Sequence, residues 1–431
     1  MVERIRLKNT DTPQSLLGRF WLPTHGEDTA VSGVLDFDDA GATVRLEGAL
    51  TPTGLLANAI VFAKLQGSHE KATLFNCFAS ARKKGDGTVV SSKIESTRIA
   101  LGSLRKDLGG RGVQFRLLGS PTWFHEQCFD ADIGDQSEAV VRFKAFESTR
   151  YPLPDELTLE RFYSAAMPFG NWGSEQFHVN RPMGFRIVSS KRLDFDRLWA
   201  AMYRLRRFLE FLSQQHLPHT QLMVFDEADV ERGVPDIEVR HSSLHAVKPK
   251  KFEWDDQLVR FDYIKDRFST LLVRWFEAHQ AYPEAFDRYF AAFDRDRKDV
   301  ILHFLWNIAA LEELHKLRTT RVNKKEFSLL ERLQDIRTRW FAAFNAKPAD
   351  DVLRQIKDSR HYYAHAAGDL RDKAAKDWTL LRYGDFIAAL SNLEILALLG
   401  LSDEDAIRLA NNYWMSETLA LNKYPTHWTD P

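Results

Sequence analysis

Asp350-Asp-Val-Leu-Arg-Gln-Ile-Lys-Asp-Ser-Arg360-His361-Tyr-Tyr-Ala-His365-Ala-Ala-Gly368 is the stretch whose reading decides the fold of the second half of the chain. Two aspartates occupy its first turn, where the positive pole of a helix favours negative charge, and Gly368 is a natural terminator. Residues 348–367 therefore read as one helix, with His365 in its last turn. Working outward, residues 255–277, 283–293, 297–317, 325–344 and 384–399 repeat apolar side chains with the 3.6-residue period. A last helix begins near Ser402, where Ser-Asp-Glu-Asp offers a capping box. Everything from Phe252 onward is expected to be helical.

The first half has another rhythm. Gly33-Val-Leu-Asp-Phe-Asp alternates apolar and polar residues, Ala40-Gly41 turns, and Thr43-Val-Arg-Leu-Glu-Gly alternates again. Similar runs at 72–78, 97–101, 113–118 and 139–146 are separated by turns such as Lys83-Lys84-Gly85-Asp86-Gly87. One helix interrupts them at 193–215, with a stripe of Phe195, Leu198, Met202, Leu205, Leu209 and Leu212, and with Arg197, Arg204 and Arg207 on its other face. A strand at 221–225 follows, and Lys248-Pro249-Lys250-Lys251 has the composition of a linker. The expected fold is α+β: a β-rich, antiparallel, sandwich-like domain over 1–248, then an all-α domain over 252–431.

Composition narrows the function. The 431 residues carry 59 basic and 60 acidic side chains, so the chain is no polycation and any nucleic-acid contact needs a local basic patch. The two cysteines, Cys77 and Cys128, lie far apart in apolar stretches, which excludes a zinc ribbon or a disulfide scaffold. The first residues lack an apolar core, and the most apolar stretch, 386–401, is broken by Ser391, Asn392 and Glu394. A cytoplasmic protein with no membrane partner is expected.

Chemistry concentrates at the end of the opening stretch. An imidazole that titrates near neutrality can take a proton from a ribose 2′-hydroxyl and return one to the leaving 5′-oxygen. A neighbouring guanidinium can stabilise the phosphorane with its fork of permanent donors. That route needs no metal or cofactor. Residues five apart stand about 140° round an ideal helix, so Arg360 and His365 do not share a face, whereas His361 and His365 do. A working pair needs a reaching arginine, a distorted helix end, or a second copy of the helix.

Spacing alone is weak, because Arg240…His245 and Arg274…His279 repeat it. Only the 360–365 match combines a polar second residue with a helix end. The four-residue histidine spacing also suggests zinc, but the general-base glutamate of that motif is replaced by Tyr362 and no third ligand stands out. Arg318-Thr-Thr-Arg321-Val-Asn-Lys324-Lys325 reads as a basic interhelical loop. It is either a phosphate-binding patch or simply solvated.

The helical half resembles a HEPN domain, whose signature of arginine, polar residue, three free residues and histidine is matched by Arg360-His361-Tyr-Tyr-Ala-His365. The segment Phe304-Leu-Trp-Asn-Ile-Ala-Ala-Leu-Glu312-Glu-Leu-His-Lys is similar to the first helix of the ApeA-like branch of that family. The opening residues Gly18-Arg-Phe-Trp-Leu-Pro23, Val31-Ser-Gly33-Val-Leu-Asp-Phe and Gly41…Val44-Arg-Leu-Glu-Gly48 resemble the domain that partners it. The resemblance implies a bacterial anti-phage (abortive infection) endoribonuclease, with a HEPN core at about 296–431. It would cut cellular RNA to 2′,3′-cyclic phosphate ends. It implies catalytic roles for Arg360 and His365 and an accessory role for His361, and it marks Glu312 as a candidate accessory residue. It further implies pairing of HEPN domains into a dimer or larger homo-oligomer, and a phage-derived trigger acting at the N-terminal domain. A catalytically silent HEPN scaffold that binds RNA or a nucleotide, or that dimerises, and a metal hydrolase built on His361 and His365 are the rival readings.

Overall fold

The structure, a computed structural model, describes residues 14–38, 41–66, 71–124, 129–133, 139–143, 148–163, 183–225, 237–241, 257–294, 298–319, 327–343, 349–410, 415 and 418–419. The chain divides into two compact units, residues 1–206 with 217–250, and residues 207–216 with 251–431.

The first unit is antiparallel throughout. Its elements are β1 (Gln14–Trp21), β2 (Val31–Asp38), β3 (Gly41–Leu46), β4 (Leu56–Leu65), β5 (Lys71–Lys83), β6 (Val89–Ser96), β7 (Arg98–Leu101), β8 (Gly110–Leu117), α1 (Ser120–Phe124), β9 (Phe129–Ile133), β10 (Ala139–Phe143), β11 (Thr149–Leu153), β12 (Leu157–Tyr163), β13 (Met183–Leu193), α2 (Phe195–Ser213), β14 (His219–Phe225) and β15 (Ile237–His241). Strands β5-β4-β1-β2-β3-β6 form a ring, because β6 pairs back onto β5. From β5 the sheet also runs outward through β7, β15, β14, β8, β13, β12 and β11. β9 and β10 pair separately.

Alternation explains the ring. Phe20, Leu35, Val44, Val61, Leu74, Cys77 and Ile94 point inward and are wholly buried. Each large side chain among them stabilises the fold by about 1.5–3 kcal/mol. Burial pushes the Cys77 thiol up to about 12, so it packs as a small apolar group. Gly18 and Gly33 face each other across β1 and β2. A Cβ on Gly33 would meet the Arg45 carbonyl oxygen at 2.5 Å, and one on Gly18 would meet the Lys64 carbonyl oxygen at 3.0 Å. The ring closes around positions where only glycine fits.

β5 belongs to both parts. Ala72–Phe75 pair with β7, and Phe78 onward pairs with β6. The change of partner falls at Asn76, which has a left-handed φ of 54° and donates to Thr97 Oγ1 at 3.4 Å. Asparagine tolerates that region better than most residues.

The second unit is a helical bundle of α3 (Phe261–Ile264), α4 (Phe268–Ala281), α5 (Pro283–Phe293), α6 (Val300–Thr319), α7 (Leu329–Arg339), α8 (Asp350–His365), α9 (Asp377–Leu398) and α10 (Asp403–Leu409), together with the last turns of α2. α6 and α9 pack along each other at its centre, each with buried residues on more than one side. They approach closely at Gly384, where a Cβ would lie 2.6 Å from the His303 ring and 3.4 Å from the Phe304 backbone. Glu394, only 4% exposed, accepts from Trp340 Nε1 at 2.8 Å and Arg339 Nη1 at 3.1 Å. Arg339 also holds Asp403 at 2.7 Å, so one buried carboxylate helps tie α7, α9 and α10 together.

The β-rich and all-α halves agree with the sequence reading, with local differences. Residues 261–281 are split into α3, a 3-10 turn at 265–267, and α4 rather than one helix. α9 starts at Asp377, seven residues before the expected Gly384, because that glycine serves helix–helix approach rather than a start. Arg240 and His241 end β15, a strand not expected from the sequence. Arg207 is not solvated: it is buried and donates to Glu210 at 2.7 Å and Asp294 at 2.8 Å. Ser402 caps α10 as expected, its Oγ accepting from Asp405 N at 3.1 Å. None of the described helices is long and apolar enough to cross a membrane.

Candidate active site

α8 buries Leu353, Ile356 and Ser359 on one face and leaves His361 and His365 exposed on the other. It stops at His365 because Ala366 turns left-handed (φ 51°, ψ 38°), two residues before Gly368, which instead opens a short 3-10 turn at Gly368–Leu370. The returning chain is fastened to the helix end. Ala375 N donates to Ser359 Oγ at 2.8 Å, and the Tyr363 hydroxyl donates to Ala375 O at 3.0 Å. Burial first of all raises the Tyr363 phenol above its ordinary range, so it stays protonated as a donor. Tyr383 donates to Gln355 Oε1 at 2.6 Å one turn earlier. Neither anchor was singled out from the sequence, although Ser359 and Tyr363 flank Arg360 and His361 within the motif segment itself.

This fastening holds a four-residue cluster. Arg360 Nη1 lies 3.0 Å from His365 Nε2, so the arginine reaches round the helix without any break in it. A guanidinium only donates, so Nε2 is the acceptor and the ring proton sits on Nδ1. The other terminal nitrogen, Nη2, lies 3.6 Å from Glu312 Oε2 on α6. The rings of His361 and His365 stand 5.0 Å apart at 57°. Arg360, His361, His365 and Glu312 are thus brought together at a solvent-facing helix end.

Arg318, the described member of the expected basic patch, is not part of this cluster. Arg318 sits in the last turn of α6, with its guanidinium paired to Asp335 and, at 3.5 Å, to Glu394. Arg321, Lys324 and Lys325 lie outside the described residues.

Among the described residues, the two other Arg…His spacings show no such contact. Arg274 donates to the Leu399 carbonyl at 2.9 Å, and His279 is buried and stacked on Phe286. Arg240 pairs with Glu238 at 2.8 Å on β15, and His245 lies outside the described residues. His361 and His365 have no third ligand among the described residues, where no group of three His, Cys, Asp or Glu could hold a metal ion.

An imidazole whose Nε2 is held by an arginine, a second imidazole beside it and a forked cation suit chemistry on a phosphodiester. Comparison of the chain with curated proteins and with solved structures returned no match. Residues 279–405 match the family described as Apea-like HEPN, a range that holds the whole cluster. Residues 15–275 match ApeA N-terminal domain 1, a range that holds the ring and runs on into α4. The match to ApeA N-terminal domain 1 alone spans more than half of the chain, which therefore belongs to the ApeA-like family, an ApeA N-terminal domain followed by an Apea-like HEPN domain.

Proposed function

We propose that this chain is an anti-phage protein whose HEPN domain is a metal-independent endoribonuclease acting on cellular RNA. The 3.0 Å contact between Arg360 and His365 at the exposed end of α8 carries the reading. An entering phosphodiester takes the guanidinium donors for its own oxygens and so frees the Nε2 lone pair of His365. That nitrogen accepts the proton of the 2′-hydroxyl, and the 2′-oxygen attacks phosphorus. Arg360 stabilises the phosphorane, and the P–O5′ bond breaks as the leaving oxygen takes a proton from an imidazolium. His361, 5.0 Å from His365, is the nearest second imidazole for that return. The products are a 2′,3′-cyclic phosphate and a 5′-hydroxyl.

Pairing of two HEPN domains and control by a phage-derived trigger at the N-terminal domain belong to the same proposal. The test is incubation with total RNA in EDTA, followed by mapping of the new ends. Wild type should yield cyclic phosphate ends, and Arg360→Ala and His365→Ala should each lose them while keeping their fold. Full activity in either variant removes the assignment.

One observation favours a second reading. Arg360 is already satisfied by His365 and Glu312, as it would be in a silent scaffold that binds RNA or dimerises. That reading expects RNA to be retained without new ends.

A further inference from the structure

The exposed face of α8 extends the candidate site beyond the histidines. Arg354, His361 and His365 are all exposed, and their spacings of seven and eleven residues return each to within about 20° of one line along an ideal helix. Arg354 stands about 10 Å further toward the helix start than His361. It lies opposite the face that Leu353 and Ile356 bury.

Charge matching separates Arg354 from four of the arginines around this helix. Arg337 holds Asp350 at 2.6 Å, Arg360 holds Glu312, Arg318 holds Asp335, and Arg339 holds Asp403. Arg354 has no carboxylate partner among the described residues. Asp358, which shares its side of the helix, is instead paired with Lys357 at 2.9 Å. The stripe therefore presents an unmatched cation, a neutralised acid and then the two imidazoles, in that order.

We propose that Arg354 binds a second phosphate of single-stranded RNA, so that the strand runs along α8 with its scissile phosphate at Arg360 and His365. This rests on the ribonuclease reading for the position of the scissile phosphate, and it assigns the phosphate-binding cation to the active helix itself rather than to the end of α6. Arg354 is a positioning residue: it holds the strand and touches no reacting atom. An exposed guanidinium on a long stem can take two phosphate oxygens at once without disturbing the bundle.

Binding and cleavage are read separately. A single-stranded RNA of about ten nucleotides is titrated against His365→Ala and against His365→Ala with Arg354→Ala or Arg354→Lys. The alanine variant should bind about fivefold more weakly, and its plot of log affinity against log salt should be flatter by about 0.7. Lysine should restore most of both. On an otherwise wild-type chain, Arg354→Ala should raise KM by a similar factor and leave kcat within about twofold. Unchanged affinity and salt slope in the alanine variant, or a fall in kcat with KM unchanged, overturns the proposal. If the wild-type chain binds RNA with the expected Arg354 dependence yet produces no new ends, the ribonuclease reading fails and the RNA track stands.

Discussion

Arg360 Nη1 lies 3.0 Å from His365 Nε2, although five residues of ideal helix turn their side-chain directions about 140° apart. The length and fork of the guanidinium close that gap, and the same fork reaches Glu312 with its second nitrogen. A lysine at this position keeps the charge but cannot hold two partners in fixed directions. Arg360→Lys should therefore lose about 100-fold in kcat for RNA cleavage, with an unchanged thermal midpoint. A variant that retained activity within a few-fold would show that only the charge matters.

Glu394 offers a test of the bundle itself. Its burial raises its pKa, the largest effect, while Arg339 and Arg318 oppose that shift. Replacing it with alanine leaves the buried Trp340 indole without its acceptor and takes one of two carboxylates from each of Arg339 and Arg318, which keep Asp403 and Asp335. Glu394→Ala should cost about 3–5 kcal/mol, and Glu394→Gln, which can keep the indole bond, clearly less. Denaturant unfolding of the three proteins would check the order, and equal midpoints for all three would refute it.

Acid should weaken the β-rich unit through His241. Its ring stacks on Trp199 at 4.1 Å, and burial, then the nearby Arg98, lowers its pKa to about 4 from 6.5, against a smaller opposing pull from Asp196. Between those values the unfolded chain binds a proton that the folded ring refuses. The contribution is thus complete above pH 6.5 and is lost as pH falls toward 4. Allowing for the ring's partial exposure, the loss is on the order of 2 kcal/mol. His241→Gln should flatten the decline in stability between pH 7 and 4 relative to wild type, as followed by thermal melts. Parallel curves would reject the assignment.

Glycine substitutions should separate steric need from habit. Gly33→Ala drives a Cβ to 2.5 Å from a backbone oxygen, whereas a Cβ on Gly85 meets nothing within 4 Å. Gly33→Ala should cost roughly 2 kcal/mol or more, and Gly85→Ala less than about 0.5. Comparable melting temperatures would contradict the close approach.

The two halves were legible because each writes its period into the sequence: alternation in β2 and β3, and the 3.6-residue stripe in α2 and α5. β12 and β13 were not: despite the Pro154-Asp155 turn before it, β12 buries the charged Glu160 and Arg161, and β13 buries Ser189, which hides the apolar alternation. The ring closure was invisible as well, because it depends on pairing between β3, β5 and β6 rather than on any one segment. Gly384 misled for a physical reason: a glycine that lets two helices touch looks the same in sequence as one that ends or begins a helix. At the site, the motif identified Arg360, His361 and His365, but the wheel angle argued against the contact the long side chain makes. The Glu312 partner could be named only through family likeness, as it comes from another helix 48 positions earlier in the chain.

Asn76 marks where one strand changes allegiance, and this has a consequence for how the β-rich unit comes apart. β5 cannot leave the ring without also stripping β7 of a neighbour, so closed and open portions share a single mechanical seam. Their amides should exchange with solvent as one cooperative block rather than as two, and a force that opens either portion is felt at once by the other.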